Sequence, residues 1–418
     1  MTATRIDATR LIPGRGDPLD NGSVVLEDGK ISYVGPSDGA PAVADGETIT
    51  TDAVMPGMWE CHGHFIGMLS ANFDEMTALR PQLAAMRVTH DARNVLDAGF
   101  TSVREMGGYG TFLGRTIDEG WAVGPNIYAS GAMLSQTGGH GDFHGMPLEQ
   151  ARKLVQAHWG EDNICDGPDE CRAAVRRMLR LGAKVIKIHA SGGVMSELDD
   201  PILPQFSREE LEAIVDEATR MGRLVGAHCH GSRGIIAALE AGIKTIEHGT
   251  YLNEEAADLM VEKDATLVPT RFIVEHLMAE GEKQGMPEYA RRKGQEAAKK
   301  HSDAVSLAID KGVRIALGTD IWATGMWGRN AEELGLLVKD GMTNLKAIEA
   351  ATANGPETLG PQAPRSGQLI EGYDADVICV AGDPSIDVAV LETPSTSPTS
   401  SKAAWHSKSP RAEPGARS

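Results

Sequence analysis

Two histidines one residue apart, His62 and His64, end a stretch that opens with Met55-Pro56-Gly57. In a β-strand, residues i and i+2 point to the same side, so both imidazoles can aim at one point. Two neutral imidazoles converging on a point suit a borderline metal such as zinc. A His-x-His pair alone is as readily a chance pair in a loop. Further along, polar residues end one apolar run after another. Lys187 sits inside Val185-Ile186-Lys187-Ile188, His228 is followed by His230, and Glu247-His248-Gly249 and Gly318-Thr319-Asp320 close two more runs. A buried lysine has to lose its charge, find a partner or be modified. Taken singly, each histidine reads best as a satisfied structural residue. Five of them with a carboxylate on one rim are hard to explain by packing.

The elements that would position these residues alternate regularly. From Val54 onward, strand-like runs recur with the His62 stretch and at 101–105, 126–131, 184–189, 224–228, 244–248, 265–269 and 314–318, with helical stretches between them. Such alternation predicts parallel strands, and eight of them predict an α/β fold of the TIM type, a (β/α)8 barrel whose C-terminal rim carries the active site. The 48 glycines cluster after apolar runs, where a barrel places its loops. A doubly wound open sheet is the alternative, but no Gly-x-Gly-x-x-Gly turn follows the first strand. Before the barrel, Asp28-Gly29 between two alternating apolar runs signals a hairpin. Turns and strands return over 366–380. The expected division is a small β-sandwich domain built from both chain ends, 1–55 and 357–392, around a barrel over 56–356. A Lys-rich helical insertion is expected over 281–304. The last stretch, 393–418, is rich in Ser, Pro, Thr and Arg and is expected to be disordered.

Composition removes several classes of partner. A net charge of -19 argues against nucleic acid, whose phosphates need clustered Lys and Arg. No apolar run is long enough for a membrane span, and no signal peptide is indicated. Five cysteines spread over 418 residues do not form a disulfide framework, and a reducing cytoplasm is the simplest compartment. The Cys165 and Cys171 pair invites a separate metal site, but no other ligand cluster lies nearby in sequence.

The pattern resembles the amidohydrolase superfamily over roughly residues 18–390. Pro56-Gly57 leads into His62-x-His64, and the strand-four lysine, the histidines ending strands five and six and the Gly-Thr-Asp of strand eight all have counterparts there. The resemblance implies a cofactor of two Zn2+ or other divalent cations bridged by a carboxylated Lys187. His62 and His64 would bind the first, His228 and His248 the second. Asp320 would be both a ligand of the first and the general base. Within the superfamily, Leu134-Ser135-Gln136-Thr137-Gly138-Gly139-His140-Gly141-Asp142 and the run from Ile186 to Val194 resemble the prolidase-like and Xaa-Arg/Lys dipeptidase subgroup, and ochratoxin-hydrolysing amidases look similar.

That narrower likeness implies a small-molecule substrate, an amide whose leaving group is an amino acid with a free carboxylate. His230, and with it His140, is assigned to the developing oxyanion. His189 is expected to face away from Lys187 with a structural role. Arg271, just past strand seven, is a candidate for the substrate carboxylate, because Arg binds carboxylates bidentately. Relatives of the subgroup form homo-oligomers, often octamers. One departure stands out. The strand that usually closes the small β domain is expected to be lost or degraded around Ala403-Ala404-Trp405-His406. The rival readings are an imidazolonepropionase-like ring hydrolase or deaminase, often with one metal, and a non-catalytic barrel.

Overall fold

The computed structural model describes residues 3–43, 46–392 and 406–407. The chain begins with β1 (Thr4–Leu11), β2 (Leu19–Glu27), β3 (Lys30–Pro36) and β4 (Glu47–Pro56). β2 and β3 pair antiparallel across Asp28-Gly29. Both turn residues have positive φ, 49° and 73°, the backbone that a two-residue hairpin turn demands. β1 pairs antiparallel with β2 and parallel with β4.

After Gly57, which leaves no space for a Cβ against the side chain of Thr101, the eight barrel strands follow. They are β5 (Met58–Met68), β6 (Phe100–Glu105), β7 (Asn126–Ala129), β8 (Ile186–His189), β9 (Val225–Gly231), β10 (Thr245–Tyr251), β11 (Thr266–Val268) and β12 (Arg314–Ile315). All adjacent pairs within β5–β7 and within β8–β12 are parallel. Two seams join these halves. After β7, Leu134 N donates to Lys187 O (2.9 Å) and His189 N to Leu134 O (3.0 Å). After β12, Cys61 N donates to Leu317 O (2.8 Å). The tube is thereby closed, an α/β barrel as expected. An extra short strand, β13 (Ile321–Ala323), continues beside β5 immediately after Asp320.

Helices cover the barrel through apolar faces. Ser207 and Glu210 form a reciprocal capping box that starts the helix Arg208–Arg220, which then buries Leu211, Ile214 and Ala218 on one side. The expected insertion is the helix Glu288–Lys311. Inside the tube, Trp59, Cys61, Val185, Val268 and Ala316 form an apolar plug beneath the rim.

The chain then returns to the first sheet. β14 (Val377–Val380) pairs antiparallel with β4, and β15 (His406–Ser407) with β14. Ile6, Val24, Leu26, Val54 and Val377 share a second, smaller core there. The closing strand expected to be lost or degraded is present as two residues on the outer edge. The remainder of the tail expected to be disordered, 393–405 and 408–418, lies outside the described residues. Among the described residues, no helix is long and apolar enough to cross a membrane.

Candidate metal centre

β5 carries an irregularity that matters for the site. From Glu60 to Gly63 the strand advances three residues while β6 advances two, from Val103 to Glu105. An extra residue of this kind re-aims the side chains beyond it. His62 and His64 both reach the cavity at the rim, where Lys187, His228, His230, His248 and Asp320 join them. The ring pairs are close: 5.0 Å between the centroids of His62 and His248, 4.6 Å for His228 and His248, and 4.6 Å for His228 and His230. Ligand atoms of His62, His248 and Asp320 lie within 4.8 Å of one another, and so do those of His228, His230 and His248. Lys187 Nζ is 3.3 Å from His62 Nε2.

Each ring is held from behind. His62 Nδ1 meets Glu247 Oε2 at 2.7 Å, and Glu247 is paired with the fully buried Arg104 at 2.8 Å. A carboxylate can only accept, so His62 carries its proton on Nδ1 and turns a bare Nε2 to the site. His64 Nδ1 donates to Gly107 O (2.8 Å) and likewise exposes Nε2. Those nitrogens lie 3.6 and 3.1 Å from Asp320 Oδ1. His228 does the reverse. Its Nε2 donates to Gly192 O (3.2 Å), leaving Nδ1 free. His248 Nδ1 and His230 Nδ1 bond the hydroxyls of Thr270 (2.8 Å) and Thr250 (2.7 Å).

Burial keeps His62, His228, His230 and His248 well below the usual imidazole range, with neighbouring cationic groups adding to it, so all four are neutral. Burial also pulls the Lys187 ammonium down to about 8, against Glu247 and Asp320. Two imidazole nitrogens thus gather within 3.6 Å of a carboxylate oxygen. Nitrogen and oxygen donors grouped so closely are a ligand set for a divalent cation, so they fit the metals that the fold implies.

Asp320 is fixed through its neighbours. Glu60 accepts the amides of His62 (2.8 Å) and Thr319 (3.0 Å), the Thr319 hydroxyl (2.7 Å) and Asn330 Nδ2 (2.7 Å). Burial pushes Glu60 up to about 7 while those four donors pull it down. Gly318 lets this turn approach β5, since a Cβ there would come within 2.8 Å of His62 Cβ. Asp320 and His248 both have positive φ, 59° and 71°, strain that is typical of functional rims.

Two expectations fail. His189 does not face away. It stands two residues from Lys187, and residues two apart on a strand share a face. Its ring lies 5.0 Å from that of His140 and 5.2 Å from that of His228, on the cavity wall. Arg271 does not reach the cavity. It is buried behind the rim, with Nε on Asp340 (2.7 Å) and Nη2 on Glu275 (3.0 Å), so its charge is already engaged. His140 does line the cavity, with Nδ1 2.7 Å from Ser196 Oγ. Cys165 and Cys171 are buried with their sulfurs 3.7 Å apart, and among the described residues no third metal ligand joins them. Glu60, Arg104, Glu247, Thr250 and Thr270 escaped the sequence reading. Only the acidic residue two positions before His62 and the Glu beside His248 gave any signal.

Above the metal ligands lies a cavity of about 460 Å3. Apolar side chains line much of it, among them Phe73, Phe143, Trp159, Met195, Met278 and Trp322, together with the acidic Asp74, Asp142 and Glu197. Lys187 is the one lysine among its described lining residues, and no arginine is among them.

A closed βα barrel with this ring of imidazoles, a buried lysine and an aspartate at its C-terminal rim defines a metal-dependent hydrolase, and the chain belongs to the amidohydrolase family, which it matches over residues 53–407. Ochratoxinase of Aspergillus niger is 44% identical over 405 residues, covering 94% of this chain and 84% of that protein. The crystal structure of A. niger ochratoxinase superposes with a TM-score of 0.90 over 98% of this chain and 95% of the other, at 41% identity. A Xaa-Pro dipeptidase with methionine bound in its active site (TM-score 0.84, 32% identity, 94% and 97% covered) is also similar. So is a prolidase complexed with N-methylphosphonate-L-proline (0.88, 32%, 94% and 96%). The protein is a binuclear-metal amidohydrolase acting on amide or peptide C–N bonds.

Proposed function

We propose that the substrate is an amide joining an apolar, aromatic-bearing acyl group to an amino acid: an ochratoxin A-like amide, an N-acyl amino acid or a dipeptide. The likeness to ochratoxinase and to prolidases supports the bond type. The aromatic and aliphatic residues of the cavity lining support the acyl group. Two divalent cations, zinc first, would be held by His62, His64 and Asp320 on one side and by His228 and His248 on the other. Lys187, carried as a carbamate, would join them. A lysine held near 8 has enough neutral amine at pH 7 to take up carbon dioxide. When bound, such a pair supplies a nucleophilic hydroxide near neutral pH and polarises the carbonyl.

This chain's own groups do the rest. Asp320 accepts the proton released on attack and hands it to the leaving nitrogen. His230, held by Thr250, turns its other ring nitrogen to the carbonyl oxygen. His140 spends its Nδ1 proton on Ser196, so, in place of the oxyanion role expected of it, in its neutral form it offers an acceptor to a substrate N–H or O–H. The observation that carries the proposal is the meeting of the His62 and His64 Nε2 atoms with the Asp320 oxygen, at 3.6 and 3.1 Å, beside a second cluster of three imidazoles.

The test is a panel of dipeptides, N-acyl amino acids and ochratoxin A, assayed with metal analysis of the same sample. Two metals per chain with turnover of aromatic amides is the expected result. One metal per chain, with hydrolysis of a cyclic amide only, would replace this reading by the ring-hydrolase one.

A further inference from the structure

The helix Glu288–Lys311 has no part in the chemistry derived so far, yet it reaches the cavity with Tyr289 and Ala297. Lys293 lies on the same face, one turn from each. Its Nζ donates to Gly193 O (3.2 Å), Ser196 O (2.8 Å) and the main-chain oxygen of Asp199, and is 3.3 Å from Asp199 Oδ1. All three ammonium protons are thus spent on one loop, 193–199. The Tyr289 hydroxyl adds a bond to Met195 O (3.3 Å).

The loop in turn holds His140. Ser196 gives its hydroxyl proton to Asp199 and accepts from His140 Nδ1 at 2.7 Å. Asp199 Oδ2 also receives Gly193 N (3.1 Å) and Gln205 Nε2 (3.2 Å). The His140 ring lies where a side chain at 193 would stand, since a Cβ there would be 2.1 Å from ring Cε1. Its other face stacks on His228 at 4.2 Å. Only a glycine, with its main chain fastened from behind, leaves this slot open.

We propose that Lys293 is a positioning residue: by fastening the 193–199 loop it fixes the ring of His140 against the substrate, so the helix Glu288–Lys311 belongs to the active site. The inference rests on the reading above that His140 meets the substrate.

The experiment compares wild type with Lys293→Met, Ser196→Ala and the double variant. It uses steady-state kinetics on a substrate from the panel, metal analysis, and hydrogen exchange of the 193–199 amides. Lys293→Met is expected to raise KM about tenfold with metal content unchanged, and to speed exchange in 193–199. Ser196→Ala should raise KM similarly, and the double variant should be little worse than either, because both act through one ring. Wild-type kinetics for Lys293→Met, unchanged exchange, or fully additive effects would overturn the proposal. If Lys293→Met does not fold, Lys293→Arg replaces it. Arg keeps the charge but cannot point three protons at one centre, so loosened exchange supports the proposal and wild-type exchange and KM refute it. If wild type hydrolyses nothing on the panel, the proposed function falls, while the exchange measurement still reports on the hold of Lys293.

Discussion

Burial sets the terms for Lys187. It is a 1% exposed amine among neutral imidazoles, 3.3 Å from His62 Nε2. An ammonium there faces only the distant charges of Glu247 and Asp320, and a neutral amine would waste the site. Conversion to a carbamate would give the site an anion to match its cations. Lys187→Ala should therefore drop metal content below one per chain after dialysis and lower kcat/KM about a thousandfold or more, on the order of 4 kcal/mol. Full metal with normal turnover would sink the bridge.

Thr270 makes a finer prediction at the same scale. Its own φ of 54° is costly for a β-branched residue, and its Oγ1 holds His248 Nδ1 at 2.8 Å. Thr270→Val keeps the shape and removes the hydroxyl, and should weaken metal binding roughly 10- to 100-fold in a chelator competition. Thr270→Ser keeps the hydroxyl and should stay near wild type. Equal affinities for the two variants would deny Thr270 any hold on the ligand. The ligands themselves were legible in the sequence because each ends a strand-like run. Thr270 was not legible, because nothing local distinguishes a hydroxyl that must lie 22 residues away in sequence from the ring it holds.

Among the elements, the strands were readable and the seams were not. The apolar runs mark β5 to β12 because buried parallel strands are apolar on both faces. The bulge in β5, the extra strand β13 and the two-residue β15 leave no such signature, since each depends on what a neighbour offers to pair with. One contact between elements gives a pH test. Asp91, on the helix Pro81–Asp97, accepts the Thr324 hydroxyl just beyond β13 at 2.9 Å, while its Oδ1 has no hydrogen-bond partner. Burial pushes this carboxyl up to about 6, against Thr324, His90 and Arg87. A carboxyl whose pKa is raised by folding contributes its stability in full below about 4 and loses it as pH rises through about 6. Asp91→Asn removes that loss. Its unfolding free energy should match wild type near pH 4 and exceed it at pH 8 by about 3 kcal/mol. A pH-independent difference would mean that the proton is not the cause.

At the scale of the whole molecule, the metals are a folding ligand. Two cores, one around the barrel and a smaller one shared by both chain ends, supply the apolar burial. The rim works against them, because it gathers neutral imidazoles, a buried lysine and a carboxylate whose electron pairs converge. A cation that binds only the folded state stabilises it by RT ln(1 + [L]/Kd), about 4 kcal/mol at a thousandfold excess over Kd. With an unfolding entropy of about 2 cal/mol/K per residue over 418 residues, that corresponds to a rise of Tm on the order of 5 °C. A chelator-stripped sample titrated with Zn2+ in a thermal-shift assay should show this climb, logarithmic in metal concentration, and Lys187→Ala should flatten it. A Tm indifferent to metal would mean that the rim is already relaxed without cations, and that the convergence of the His62 and His64 nitrogens on Asp320 does not serve metal binding.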